Sequence, residues 1–169
     1  MNKNVREISL LGIFAALYVA LCFASIPLSF GVFQFRIAEI LVVLPFYNKK
    51  YCASIILGTF IANLFGPIGI VDAVVGSAAS AVVCLIIVVV KKKAVIPPAA
   101  AVINGIIIGA MLHALEIMPD MGIIAIMAAV AIGVFAVTLI GVILFAGLEK
   151  KSPRFIEMIR TMSANPSNL

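Results

Sequence analysis

Long apolar runs separated by short polar clusters organise this chain. Apolar stretches cover residues 8–26, 51–65, 70–90, 96–118 and 122–148, and a shorter one, 36–47, contains Pro45. They end at Pro27, at Gly66-Pro67, at Lys91-Lys92-Lys93, at Pro119-Asp120 and at Glu149-Lys150-Lys151. A helix needs about 20 apolar residues to cross the hydrocarbon layer. The pattern predicts an all-α membrane protein of six transmembrane helices. The second and third are too short to cross alone and need neighbours over their ends, or an intramembrane break. The expected organisation is one domain, residues 8–148, between an N-terminal segment, 1–7, and a polar tail, 149–169. The tail is expected as a short surface helix or as disordered chain.

Composition strengthens this picture. Of 169 residues, 64% are hydrophobic and 11% charged, and mean hydropathy is +1.28. Soluble domains carry about 25% charged residues. So large an apolar excess does not fit inside a core of this size, and lipid is the solvent such a surface suits. The formal net charge of +5 comes from short clusters between the runs, a topology signal rather than a nucleic-acid footprint. With both termini cytoplasmic, six spans place Lys3, Arg6, Lys49, Lys50, Lys91 to Lys93, Lys150, Lys151, Arg154 and Arg160 inside. Of the 12 lysines and arginines only Arg36 falls outside. Five or seven spans would put a basic cluster on the wrong side. A charged start followed by an apolar run resembles a signal peptide, but the run is longer than a usual one and more spans follow. It is expected as a retained first span of a multi-pass protein of the bacterial plasma membrane.

Polar groups within the spans sort to the other end. Gln34 and Arg36 stand at the outer end of the second span, with Glu39 one turn in; Asn63 is near the outer end of the third. Asp72 is near the outer start of the fourth, and Glu116 near the outer end of the fifth with His113 one turn deeper. A charged side chain costs about 2.5–3.5 kcal/mol near a span's centre and less near its ends. Several at one depth are tolerable when they face each other or a hollow, and such a set is the default solute site. Simpler roles stand beside this. Arg36 and Glu39 have the spacing of a helical ion pair, Asp72 follows a turn as an N-cap would, and Asn63 has the position of a helix-end cap. Glu116 and Asp120 suit a solvated loop, and His113 suits packing. Asn104, mid-span on nearly the opposite face from His113, suits helix packing.

Small residues mark contact faces. Gly12, Ala16, Ala20 and Ala24 recur every four residues on the first span, a pattern that lets helix backbones approach closely in lipid. It suits packing within the chain or docking of another subunit. Ala125, Ala129, Gly133 and Gly141 mark the sixth span, Gly105 and Gly109 the fifth. There is no phosphate-binding loop, no metalloprotease or nucleophile-elbow motif and no nucleophile–base set. No catalytic residue, cofactor or metal site is therefore expected. The three cysteines, Cys22, Cys52 and Cys84, lie apart in apolar runs and suit packing.

The run from Pro27 through Ser29, Phe30, Gly31, Phe33, Gln34, Phe35 and Arg36 to Glu39, then Leu44-Pro45, resembles the QueT-type substrate-binding subunits of energy-coupling factor (ECF) transporters. So do Gly58-Thr59-Phe60-Ile61-Ala62-Asn63 and Ile70-Val71-Asp72 through Gly76-Ser77. The resemblance covers about residues 8–148 and is most specific over 27–77. It implies an ECF S-component-like fold with a solute pocket near the outer face. It also implies docking on a transmembrane scaffold subunit and two ATPase subunits through an alanine face that Ala16 and Ala20 match. The implied solute is a queuosine precursor, a 7-deazaguanine such as the 7-aminomethyl form, or queuine. Chemistry agrees: one carboxylate accepts both a ring N–H and its neighbouring amine, an aminomethyl arm wants a second carboxylate, and the carbonyl wants a donor such as Arg36, Gln34 or Asn63. Phe30, Phe33, Phe35 and Phe65 are candidates to face the ring. Two other readings remain at this stage: a subunit for a different vitamin or base, and a structural or assembly membrane protein whose polar groups pair among themselves.

Overall fold

The computed structural model describes residues 3–26 and 34–162. The chain runs through α1 (Lys3–Ala24), a 3-10 helix (Ile37–Val43) that passes directly into the one-turn helix α2 (Leu44–Tyr47), α3 (Tyr51–Leu64) and α4 (Ile70–Val90). A 3-10 turn (Lys93–Val95), α5 (Ile96–Ala114), α6 (Ile123–Lys151) and α7 (Pro153–Thr161) complete it. No strand occurs among the described residues. Among the described residues, four helical stretches are long and apolar enough to cross a membrane: Asn4–Ala24, Ile70–Val90, Lys93–Ala114 and Ile123–Lys151. Ile37–Tyr47 and Tyr51–Leu64 are shorter apolar segments, as their lengths in the sequence lead one to expect.

These elements close into a ring. α1 packs on α3, α3 on α4, α4 on α5 and α5 on α6, while the 3-10 helix fills the gap between α6 and α1. α5 and α6 form the most extensive pairing. A Cβ on Gly109 would lie 2.8 Å from the Met127 Cα, so the two backbones approach as closely as only a missing side chain permits. Outside the ring, Ile8, Leu85, Val89, Ile124 and Ile143 are exposed, the apolar exterior that lipid would cover.

The second segment differs from the α-helix that its sequence suggests. Pro45 has no N–H to offer the Leu41 carbonyl. That carbonyl instead accepts from the Leu44 N–H, and the seven residues before Leu44 wind as a 3-10 helix. Runs beyond three or four residues of this type are uncommon. Two consequences follow. At a rise of roughly 2.0 Å against 1.5 Å per residue, the tighter winding lengthens a segment otherwise too short to reach far into a bilayer. Residues three apart also stack, so Arg36, Glu39, Val42 and Pro45 share one buried stripe.

Basic clusters gather at one end of the ring, as the threading anticipates. Lys50 pairs with Glu7 of α1, and Lys93 pairs with Glu149 of α6. The amphipathic α7 is tucked there, with Ile156 and Ile159 buried and the Arg160 carbonyl accepting a 2.8 Å hydrogen bond from the Asn48 side chain. Part of the polar tail is thus a short docked helix. α5 stops at Ala114, four residues before the expected 118, because the chain turns at Leu115 and Glu116, the latter with a left-handed φ of 52°.

The two small-residue ladders have different fates. Ala129, Gly133 and Gly141 of α6 are buried, although Ala125 is exposed. A Cβ on Gly141 would lie 2.8 Å from the Ile40 carbonyl oxygen. Gly12, Ala16, Ala20 and Ala24 of α1 are all exposed. Gly141→Ala should therefore destabilise the protein by about 1–3 kcal/mol, the usual cost of overpacking. Gly147→Ala, where nothing lies within 4 Å, should stay within about 0.5 kcal/mol of the parent. Thermal unfolding in detergent checks both.

Candidate solute site

At the end of the ring opposite the lysines, polar side chains from several elements turn inward. Gln34, Arg36, Glu39, Asn63 and Asp72 are all buried, Asn63 and Asp72 to 0% and 1% exposure. The first three come from the start of the second segment, the last two from the end of α3 and the first turn of α4. Gln34 has a φ of 43°, so the backbone bends just before the 3-10 helix begins. Arg36 lies within electrostatic reach of both Glu39 and Asp72, as well as Tyr18 and Cys22.

Glu39 is held by α1. The Tyr18 hydroxyl donates to Glu39 Oε1 at 2.8 Å, with both groups buried. Gly58 of α3 makes this possible: a Cβ there would sit 2.8 Å from the Tyr18 Cβ. Thr59, beside Tyr18, is within hydrogen-bonding distance of Ser80 at 3.2 Å. Tyr18 is not among the residues that the depth of polar groups along the spans singles out. Its signal was available, since a tyrosine inside an apolar span must find a partner for its hydroxyl; Tyr47 and Tyr51, by contrast, stand at the ends of their helices.

Asp72 and Asn63 are arranged differently. The Asn63 amide donates to the Asp72 backbone carbonyl at 3.0 Å, tying α3 to α4. Gly76 leaves room for it, since a Cβ there would meet Asn63 Nδ2 at 2.3 Å. Asn63 thus links two helices rather than capping its own, and Asp72, in a helix whose N-cap is Gly69, makes no capping bond. Asp72 Oδ1, Asp72 Oδ2 and Asn63 Oδ1 are buried and have no hydrogen-bond partner among the described residues. Buried acceptors almost always find donors, and an unmet one costs about 1–3 kcal/mol, more when charged. Three together mark a place that the described residues leave short of donors.

His113 and Glu116 are not brought into this buried set; both are exposed, Glu116 in the turn after α5. Among the aromatic candidates, Phe30 and Phe33 lie outside the described residues, Phe65 is 71% exposed, and Phe35 is half-buried. Asn104 bonds the Ala100 carbonyl of its own helix at 2.9 Å, a packing arrangement. No group of three or more metal-binding side chains occurs among the described residues.

The model of the family described as QueT transporter matches residues 8–150, a stretch that includes every element of the ring and all five buried polar residues. The chain belongs to the QueT transporter family. A protein of Lactococcus lactis subsp. cremoris (strain MG1363) named queuosine precursor transporter QueT is 36% identical over 77 residues. That stretch is 44% of this chain and 45% of the relative, so the chain spans less than half the length of the curated QueT relative it matches. No solved structure matches the chain. The family's description is that of a transporter, and four helical stretches among the described residues of this chain have the length and apolar character to cross a membrane.

Gly76→Ala should push the Asn63 amide off the Asp72 carbonyl and lower stability by about 1 kcal/mol. Adding Asn63→Ala should make the second substitution nearly free of further cost at that position. A double-mutant cycle of thermal unfolding reads this coupling.

Proposed function

We propose that this chain is the solute-capturing subunit of an ATP-driven ECF importer, and that its solute is a queuosine precursor of the 7-deazaguanine class. Six membrane passes are proposed, with the lysine-rich end in the cytoplasm and the buried polar set in the outer half. Positive charge concentrated at one end supports this orientation. ATP would be hydrolysed by separate subunits.

The observation that carries the substrate reading is the trio of unmet acceptors, Asp72 Oδ1, Asp72 Oδ2 and Asn63 Oδ1. A 7-deazaguanine presents a ring N–H and an exocyclic amine side by side, the donor pair that one carboxylate accepts in two parallel bonds. Glu39, already holding one donor from Tyr18, has remaining acceptor capacity for a cationic aminomethyl arm. Arg36 and Gln34 supply donors for the ring carbonyl. His113 and Glu116, exposed beyond the end of α5, are assigned at most a place on the route in.

Asp72→Asn should weaken binding of 7-aminomethyl-7-deazaguanine by about tenfold or more, the effect of losing charge-assisted bonds. Glu116→Gln should change it by less than about twofold, in keeping with an exposed charge. Titration calorimetry on purified protein measures both, and no binding of any 7-deazaguanine would overturn the substrate assignment.

For docking, the exposed Gly12, Ala16, Ala20 and Ala24 face of α1 is proposed to meet the scaffold subunit, where small side chains allow close helix contact. Ala16→Leu with Ala20→Leu should leave solute binding intact while abolishing uptake and co-purification of the energising module. Unchanged uptake of labelled precursor would refute this surface.

A further inference from the structure

At the basic end of the ring, opposite the proposed solute site, a cavity of about 140 Å³ lies between α2 and the end of α4. Pro45, Phe46, Tyr47, Lys49, Val88 and Lys91 line it. Its walls are therefore apolar and aromatic on one side and cationic on the other.

The local charges are not equivalent. Lys50 is paired with Glu7, and Glu149 is shared by Lys93 and Arg160. Lys93 also stands 5.3 Å from the centre of the Phe46 ring and 5.4 Å from that of Tyr47. Lys49 and Lys91, the two lysines on the cavity itself, are exposed and have no acidic partner among the described residues. Glu7 and Glu149 are thus engaged elsewhere, and neither lysine on the cavity has an ion-pair partner among the described residues. The carbonyls ending α4 point the same way and work against an anion. One of them, on Ile87, accepts the Lys91 N–H at 3.0 Å.

We infer that this cavity holds the phosphate group of an anionic phospholipid, with Lys49 and Lys91 as its counter-charges. A lipid is favoured over a soluble phosphate by what adjoins the lysines. Lys91 caps the end of a 21-residue, predominantly apolar helix, the position of a headgroup. Val88 on the cavity wall leads to Leu85 and Val89, exposed to 63% and 71% on the same helix, a track that acyl chains would cover. A free anion would leave that apolar wall unused. Lysines at a membrane surface attract anionic lipid at about 1 kcal/mol each.

The test is native mass spectrometry of the full chain released from phosphatidylcholine nanodiscs doped with phosphatidylglycerol. One retained phosphatidylglycerol is expected. Lys49→Gln with Lys91→Gln should lower its retention roughly thirtyfold, the product of two such contacts. Lys150→Gln with Lys151→Gln, the same loss of charge at the end of α6, should leave it unchanged. Val88→Phe, which fills the cavity while keeping both lysines, should also displace the lipid. Equal retention in the cavity variants, equal loss in the α6 control, equal retention of phosphatidylcholine, or displacement by inorganic phosphate would each overturn the assignment.

Discussion

A carboxylate carried into an apolar bundle must be met by donors, and the two at the polar end of this ring are met unequally. Glu39 receives the Tyr18 hydroxyl across the contact between α1 and the 3-10 helix. Asp72 receives nothing from the described residues. A buried carboxylate without hydrogen-bond donors is among the more costly features a fold can retain. Much of the surrounding architecture reads as what is needed to hold these groups in place: Gly58 to let Tyr18 approach, Gly76 to admit the Asn63 amide, and a bend at Gln34 to bring Arg36 inward. The asymmetry separates a carboxylate fixed by its own chain from one whose oxygens the described residues leave without donors.

The all-helical character, the four long apolar helices, the short second and third segments, and the gathering of basic residues at one end were all legible in the alternation of apolar runs and charges. So was the convergence of Gln34, Arg36, Glu39, Asn63 and Asp72, because depth in a span follows directly from position along it. Direction around the helix axis does not. His113 and Glu116 matched the others in depth, yet α5 ends at Ala114 and the left-handed turn at Glu116 leaves both exposed. Small-residue ladders carry the same ambiguity. Those of α5 and α6 face each other or the 3-10 helix, whereas that of α1 faces away from the ring, and spacing alone is identical for the two cases.

Tyr18 and Gly76 show a different limit. Each matters through a contact distant in sequence, Tyr18 with Glu39 and Gly76 with Asn63. A lone hydroxyl in an apolar span announces that it needs a partner but not which one. A glycine in a membrane helix announces a close approach but not what approaches.

The tight winding of Ile37–Val43 makes this segment intolerant of changes in length or pitch. Three residues per turn place Glu39 directly above Arg36; relaxation to α geometry would swing the carboxylate about 60° around the axis and draw the segment in by several ångströms. Losing a single residue would advance the stripe by a third of a turn and bring an isoleucine, Ile40, to the position Glu39 now holds. Proline at position 45 therefore acts as a phase lock: by denying the Leu41 carbonyl its usual α-helical donor, it keeps charge and countercharge in step along the wall of the ring.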